Sequence, residues 1–444
     1  MPLKILLINE IENLYIKTLK HAHLPLWAGV LKGITPEIHT IYFIDCAFDK
    51  INFEHLKNYD LICLSILTPS AYNVYKIGDF CLKNNIKCII GGVHASIFPE
   101  EVKVHCDSVV AGEVEGVWLD ILEDVKNNRL KPFYNGKESE LNELPYLDHK
   151  IYRKYRYTFD SLEIMRGCPY NCEFCTISYI SGGKCRFKSL EIIKRELEEI
   201  KLKNTILIAP NIVVNRKRSI EIFDSVGPYN LRWGLYGSGN LLINRTDLLD
   251  SLQKNGCYII NIGFENLSVS ALKSMHKHHN IDVDPKKLIA QLHDRGILVA
   301  GSLMVGWDSD NKSIFKSTID TVNELELDFP YIFLFTPYPS TRVYYRLLKE
   351  NRILTKDWSR YNGTDVVFQP KNMSREELLN GCIETLEYTA RISNEFKYAF
   401  RVKRSIKRKA ESLVASYFHR KFIKSVIKNA EHGLLNEIQQ IDSN

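Results

Sequence analysis

Three cysteines stand close together near the middle of the chain, Cys168, Cys172 and Cys175, with the spacing C-x3-C-x2-C. Thiolates are soft ligands that suit iron, and cysteine is the usual ligand of iron–sulfur clusters. The close spacing lets one loop wrap three corners of a cubane. Three thiolates leave a fourth iron open, and an open iron can chelate a substrate or a cofactor. We therefore predict a [4Fe–4S] cluster on these three residues.

Zinc is the competing ligand for such a group, because three cysteines and a fourth ligand can also bind that ion. Zinc-binding cysteines usually come as two pairs, whereas this chain has a single set that follows a predicted strand. Cys185 follows the last cluster cysteine by ten residues. It is either a fourth ligand or reactive thiol, or an ordinary loop or core cysteine, and the pattern favours the ordinary residue.

The segment Met165–Cys175 resembles the cluster motif of the radical S-adenosylmethionine (SAM) superfamily, and Phe174 matches that family's aromatic residue between the last two cysteines. The resemblance extends over residues 1–400. It implies that the amino and carboxylate groups of SAM chelate the open iron. Electron transfer would then release methionine and a 5′-deoxyadenosyl radical that abstracts a hydrogen atom. The protein would contribute positioning and exclusion of water.

Further SAM contacts are implied by position in the family pattern. Glu265 ends the fourth barrel strand, where a carboxylate can accept two hydrogen bonds from the ribose diol; a solvated loop acid is the alternative. Gly301 and Ser302 resemble the fifth-strand segment beside adenine, where glycine allows close backbone approach. Relatives carry two acids before an Asn after the second strand, but this chain reads Ala209–Asn211, so Asn211 is predicted to replace them in part.

The elements that position these residues alternate between short β-rich runs and helix-length segments, which predicts an α/β fold class. Residues 1–130 are expected to form an N-terminal doubly wound, Rossmann-like sheet, and residues 131–155 a polar linker. Residues 156–345 hold about six βα units, which predict a partial (β/α)6 TIM-like barrel. Residues 346–444 are expected to be mostly helical, with a capping box of Ser374 and Glu377 ahead of an amphipathic run, and with a basic tail.

The N-terminal sheet places small and polar residues at the carboxyl ends of its strands, where open α/β sheets bind ligands. This layout resembles the cobalamin-binding domain that precedes many radical SAM modules, with Ser65-x-Leu67 and Gly91-Gly92 as matching elements. The resemblance assigns to cobalamin the residues Ser65, Leu67, Thr68, Gly91, Gly92, His94, Gly112 and Glu113.

The family's Asp-x-His-x-x-Gly element is absent, so no histidine from that loop would bind the lower face of cobalt. His94 could be a cobalt ligand, but a hydrogen-bonding role within its loop is favoured. A domain that has lost cobalamin and only packs against the barrel is the remaining alternative.

The resemblance is closest to class B radical SAM methyltransferases and is similar to hopanoid methylases, on the segments Asp357–Tyr361 and Val367–Pro370. It implies a C-methyltransferase that acts on an unactivated carbon of a lipid or secondary metabolite and receives electrons from a flavodoxin or ferredoxin. Two alternatives stay open. One is a radical SAM oxidoreductase or cyclase without methyl transfer, and the other is a non-catalytic iron–sulfur binding or sensing protein.

Composition and charge restrict the partners and the compartment. The net charge of +6 over 444 residues is too small to imply nucleic acid, and the scattered cysteines fit a reducing compartment. The sequence shows no signal peptide and no apolar run of about 18 residues, so a cytoplasmic protein is expected. Residues 401–428 hold ten basic residues and one acid. They predict either peripheral contact with the inner membrane surface or packing on the chain's own barrel.

Overall fold

The computed structural model describes residues 1–11, 24–142, 147–391, 413 and 416–431. These residues fold into two compact units. The first unit comprises Met1–Met165, Ile180–Gly182 and Arg186–Leu202, as far as they are described. The second comprises Arg166–Tyr179, Gly183–Cys185 and the described part of Lys203–Asn444.

The first unit is built on a parallel sheet with the strand order β2-β1-β3-β4-β5-β6. Strand β1 is fully buried from Ile5 to Ile8, as expected for a parallel sheet that is covered on both faces. The strands are β1 Lys4–Asn9, β2 Thr40–Asp45, β3 Leu61–Ser65, β4 Cys88–Gly91, β5 Ser108–Gly112 and β6 Phe133–Gly136. The α-helices along this sheet are Leu26–Ile34, Ala71–Lys83, Val93–Ile97, Pro99–Lys103 and Trp118–Lys126.

The sixth strand lies inside the segment predicted as a linker. Phe133–Gly136 is flanked by Pro132 and ends in Asn135-Gly136, so local turn signals hide it. It pairs with β5 in parallel, and the buried Tyr134 donates a hydrogen bond to Asp124 at 2.7 Å. The sheet therefore continues past residue 130, while the division of the chain into four parts stays a prediction.

The predicted barrel strands all form. The first of them appears as β7 Asp160–Glu163 and β8 Met165–Arg166, and β9 Arg186–Phe187 follows the cysteine loop. In the second unit β10 to β14 lie side by side in chain order and are parallel. Their bounds are β10 Asn204–Ile208, β11 Arg232–Gly237, β12 Cys257–Glu265, β13 Leu298–Val305 and β14 Phe329–Leu334.

Helices alternate with these strands, as βα units require. Their bounds are Ile177–Ile180, Leu190–Glu199, Arg216–Val226, Gly239–Leu242, Thr246–Lys254, Val269–Ser274, Pro285–His293 and Ser313–Leu325. The predicted fold class, a Rossmann-like sheet followed by a partial TIM-like barrel, is confirmed.

The described part of the C-terminal region is mostly helical, with a largely irregular stretch over residues 350–374. The helices Arg342–Lys349 and Arg375–Thr389 precede a helical segment over residues 416–431. The predicted capping box of Ser374 with Glu377 is confirmed. Of the basic tail at 401–428, residues 401–412, 414 and 415 lie outside the described residues. No helix within the described ranges is long and apolar enough to span a bilayer.

Residues 416–431 pack on the second sheet through one face. The buried His419 ring places Nε2 3.2 Å from the carbonyl oxygen of Pro330, and its ring lies 5.0 Å from that of Tyr331. Phe422 and Ile423 are buried on the same side. This part of the basic tail packs on its own barrel, which was one of the two alternatives from the sequence.

Candidate active site

The cysteine loop is clamped by the residues that follow β12. The backbone N–H of Glu173 donates to the carbonyl of Met275 at 3.0 Å, and the Glu173 carboxylate lies 3.2 Å from Nδ1 of His276. On the other side of the loop, the Tyr170 ring stacks on His279 with centroids 3.7 Å apart. Backbone and side-chain contacts thus fix the loop at both ends of its central turn.

The three thiols are partly exposed, and the charge of the Lys277 side chain acts on each of them. Burial raises the pKa of all three, that of Cys172 to about 11, while the charge of Lys277 opposes this for each. Within the described residues, no three His, Cys, Asp or Glu side chains lie close enough together to share one metal ion.

Lys277 is the residue that the sequence interpretation missed. Its ammonium group pairs with the Glu265 carboxylate at 3.1 Å, and the two side chains are only 11% and 13% exposed. Burial acts to lower the Lys277 pKa, but attraction to Glu265 and to the Cys172 and Cys175 thiols outweighs it, so the pKa is raised. The signal for it was the run of His and Lys that follows the fourth barrel strand at His276–His279.

Gly263 makes room for this ion pair. A Cβ atom at position 263 would lie 2.4 Å from Oε1 of Glu265 and 3.1 Å from Nζ of Lys277. Glu265 itself has a φ of 61°, at a point where the register between β12 and β13 shifts. A non-glycine residue in that region is uncommon and costs backbone strain. The strand end is therefore shaped to hold the pair over Gly263.

Phe174 joins the loop to an aromatic core. Its ring lies 6.4 Å from Trp307 in an edge-to-face arrangement, and Trp307 lies 4.9 Å from Phe335. The Lys277 ammonium is 5.8 Å from the Phe174 centroid. The aromatic residue of the motif thus supports both the loop and the buried cation.

Two buried amide side chains have polar atoms without hydrogen-bond partners, as expected where a polar ligand binds. Asn211 is 3% exposed, and neither its Oδ1 nor its Nδ2 has a hydrogen-bond partner among the described residues. The same holds for Oδ1 of Asn280, whose Nδ2 donates to the carbonyl of Gly263 at 2.8 Å. Asn280 lies beside Gly263 and the Glu265–Lys277 pair, and these charged and amide groups suit the amino acid and ribose parts of SAM. Asn211 follows the end of β10.

The two residues predicted beside adenine face opposite sides of β13. Ser302 donates to Oδ1 of Asn261 at 3.0 Å, on the side of the sheet that carries Glu265. At Gly301 an added Cβ would lie 2.6 Å from the Leu327 side chain. The missing side chain at Gly301 therefore accommodates Leu327, and a ligand contact by Gly301 stays a prediction.

In the first unit, the ends of β3 and β4 come together as predicted. At Gly92, with a φ of 108°, an added Cβ would lie 2.8 Å from the Ile66 carbonyl oxygen and 3.0 Å from Oγ of Ser65. Leu67 is 45% exposed beside this turn, and a Cβ on Gly91 would make only ordinary contact with Val110. An exposed apolar side chain beside small residues fits the flat face of a corrin ring.

His94 is fully buried, and both of its ring nitrogens have partners. Nδ1 lies 3.2 Å from Oγ1 of Thr68 and Nε2 lies 3.1 Å from the Tyr75 hydroxyl. Burial lowers the pKa of His94 to about 4, against the opposing charge of Glu101. The ring is held within its loop and keeps no nitrogen for cobalt, in line with the favoured interpretation.

Glu113 and Gly112 are engaged within the protein. The Glu113 carboxylate forms a two-point ion pair with the buried Arg186 and accepts the N–H of Ser139 at 2.8 Å. The N–H of Gly112 donates to Oγ of Ser96 at 2.9 Å. Sequence spacing could not show a partner 73 positions away. Cobalamin contacts by these two residues stay predictions.

We expect Cys172→Ser to lose most of its iron after anaerobic reconstitution with iron and sulfide, because the cluster loses one of its three corners. Cys185→Ser is the matched control, since the Cys185 thiol donates to the carbonyl of Gly167 at 3.8 Å. Iron and acid-labile sulfide per chain are the measurements. Equal iron loss in both variants would contradict a three-cysteine site.

We expect Gly263→Ala to weaken SAM binding about tenfold, because the new methyl group displaces the Glu265–Lys277 pair and its charged hydrogen bonds. The overlap involves flexible side-chain ends, so the fold should persist. Equilibrium dialysis with SAM on reconstituted protein measures the affinity.

The matched control is Gly116→Ala, where an added Cβ meets its nearest atoms at 3.9 Å. If Gly263→Ala binds SAM as tightly as the unchanged protein does, the ion pair takes no part in the SAM site.

The fold and the site agree with comparisons to known proteins. Residues 162–322 match the family model described as the Radical SAM superfamily. Bacteriochlorophyllide d C-12(1)-methyltransferase of Chlorobaculum tepidum is 28% identical over 376 residues, which are 81% of this chain and 81% of that protein. The C-8(2)-methyltransferase of the same organism is 29% identical over 362 residues, 77% of this chain and 80% of that protein.

A solved structure extends the comparison to the whole fold. The radical SAM methyltransferase TsrM from Kitasatospora setae, determined with cobalamin and a [4Fe–4S] cluster bound, matches with a TM-score of 0.70. The match covers 98% of this chain and all of that one, at 12% identity. With its cysteine loop and its partial barrel, this chain carries a radical SAM domain over residues 162–322, and its fold is similar to that of TsrM.

Proposed function

We propose that the chain is a cobalamin-dependent radical SAM C-methyltransferase acting on an unactivated carbon of a lipid or other small-molecule substrate. The observation that carries this proposal is the cysteine loop clamped over the buried Lys277–Glu265 pair, together with the buried, unpartnered amide of Asn211 after β10. The two bacteriochlorophyllide methyltransferases, which match about four fifths of this chain, support carbon methylation as the reaction.

When bound, the cluster, SAM and cobalamin supply the electron, the hydrogen-abstracting radical and the methyl group. The chain's own residues bind and orient. Cys168, Cys172 and Cys175 would hold the cluster. Lys277, Glu265 and the amides of Asn211 and Asn280 would fix the polar ends of SAM. The aromatic contact of Phe174 with Trp307 keeps the loop packed and water excluded on that side.

Cobalamin would bind at the strand ends of the first unit, with Leu67 against the ring and no nitrogen of His94 on cobalt. Ser65, Thr68, Gly91 and Gly92 shape that edge. A domain without cobalamin stays the alternative. An external one-electron donor such as a flavodoxin or ferredoxin is also proposed, because reductive SAM cleavage requires an electron.

We expect the purified, reconstituted chain to transfer the methyl group of SAM to a carbon of its substrate. The assay supplies methyl-deuterated SAM, a chemical reductant, and an organic extract of source cells that lack the gene. Mass spectrometry should find a product that carries the deuterated methyl group, together with 5′-deoxyadenosine. A substrate-dependent product without the label would favour the oxidoreductase or cyclase, and absence of 5′-deoxyadenosine would favour the binding or sensing protein.

A variant of the first unit separates the two cofactors in the same assay. Leu67→Asp places a charge where the corrin would lie, so it should lose corrinoid absorbance and methyl transfer yet still cleave SAM. Leu119→Asp is the matched control, because Leu119 is exposed elsewhere on that unit. Equal corrinoid content in both variants would contradict cobalamin binding at this edge.

The outer face of residues 416–431 is the second element for which we propose a partner. Lys421, Lys424 and Lys428 are exposed at helical spacing, and Tyr417 and Phe418 are exposed beside them. Basic residues near an anionic bilayer contribute about 1 kcal/mol each. We propose weak contact of this face with the inner membrane surface of a cytoplasmic protein.

Reversing these three charges to Glu should lower binding to phosphatidylglycerol-containing vesicles by about tenfold or more, as measured by flotation. The control reverses three exposed lysines elsewhere in the second unit, Lys254, Lys286 and Lys371. Equal loss in both variants would show a general charge effect and no membrane-binding face.

A further inference from the structure

Three aromatic side chains lie on one face of the second sheet, and two of them are exposed. Tyr236 on β11 is 42% exposed and Phe333 on β14 is 41% exposed, although both lie on sheet strands. Tyr331 stands two positions before Phe333, with the ring centroids 6.3 Å apart and the planes inclined by 22°. We call Tyr236, Tyr331 and Phe333 the aromatic wall.

Strand register places the aromatic wall on one face of the sheet. Tyr236 pairs with Asn261, Ser302 pairs with Tyr331, and Met304 pairs with Phe333. Paired residues on neighbouring strands point to the same side, as do residues two apart along a strand. The Ser302–Asn261 hydrogen bond joins the two ends of this series. Burial raises the pKa of the Tyr236 hydroxyl.

At the amino-terminal end of the strands, this face of the sheet is covered by apolar side chains. Leu298, Ala300 and Phe329 form a buried apolar cluster against Tyr258, Ile259 and Tyr331. At the end strand β14, the ring of Phe422 lies 5.6 Å from that of Tyr331. A ligand that contacts the aromatic wall must therefore enter from the carboxyl end of the strands.

That end also carries the Glu265–Lys277 pair. The pair stands over Gly263, and Gly263 pairs with Ser302 on the face of the aromatic wall. The wall and the proposed SAM site thus share one side of one sheet. A ligand against the wall would therefore lie on the same side of the sheet as the proposed SAM site.

One polar pair interrupts the apolar lining. Oδ1 of Asn261 accepts from Ser302, so the Asn261 amide nitrogen is the group that can donate to a ligand. Ligand sites commonly combine aromatic walls with a few such polar groups, which fix orientation. The lining therefore suits a ligand that is mostly apolar and has one or a few hydrogen-bond acceptors.

We propose that the substrate is a flat, conjugated ring system that packs against Tyr236 and Phe333 and presents an acceptor to Asn261. This inference rests on the proposed function, because it assigns that enzyme's substrate class. Aromatic rings attract flat π systems through stacked and edge-to-face contacts, in addition to the apolar area they bury. A saturated chain would gain only the apolar area.

The experiment measures probe binding to the reconstituted chain without turnover. Protoporphyrin IX is the flat probe and squalane is the saturated probe. We expect the unchanged chain to shift the porphyrin absorbance and to bind it at least about tenfold more tightly than squalane. Tyr236→Ala and Phe333→Ala should each weaken porphyrin binding about tenfold. Tyr345→Ala, at an exposed aromatic residue on the helix Arg342–Lys349, should leave it unchanged.

A second readout separates this proposal from the proposed function. Both wall variants should still form 5′-deoxyadenosine from SAM without substrate, which shows that they fold and hold the cluster. Equal binding of the two probes, or porphyrin binding that neither wall variant weakens, would overturn the flat-ring substrate class. Failure of the unchanged chain to form 5′-deoxyadenosine would instead overturn the proposed function and leave the binding result standing.

Discussion

The burial of one ammonium group, that of Lys277, is the constraint on which the site depends. Moving a charge out of water costs several kcal/mol unless close partners compensate it. Here Glu265 and the cysteine thiols provide that compensation. The missing side chain at Gly263, the unusual backbone of Glu265 and the placing of Phe174 all follow from keeping this cation among its partners. A cluster ligated by three thiolates is anionic, so the same cation would balance its charge.

Each of the two units gathers its candidate residues at the carboxyl ends of parallel strands. In such a sheet the strand interiors are committed to packing, as the fully buried residues Ile5–Ile8 show. The loops after the strands are the places where polar side chains can differ without loss of the core. The first unit uses this edge for a glycine turn and an exposed leucine, and the second uses it for the cysteine loop and the ion pair. One principle of construction therefore serves two chemically different sites.

The sequence predicted what depends on local spacing. The cysteine motif, the buried strands and the capping box at Ser374 each follow from a few neighbouring residues. The Radical SAM family model matches the region that holds the motif, and the structure confirms the strands and the capping box. The missed features depend on distant partners. The role of Lys277 depends on its interactions with Glu265 and the cysteine loop, and the Glu113 carboxylate forms an ion pair with Arg186. The strand Phe133–Gly136 forms because β5 offers an edge, although its own residues favour a turn.

The segment 416–431 has a consequence for the solubility of shortened chains. β14 is the last strand in its sheet, and an end strand with unpaired backbone groups invites pairing with another molecule. His419 contacts the Pro330 carbonyl on that strand, and Phe422 covers the ring of Tyr331. Removing the chain beyond residue 415 would expose the edge strand β14 and favour its pairing with another molecule. The tail thus has a protective role against aggregation, whether or not it also touches a membrane.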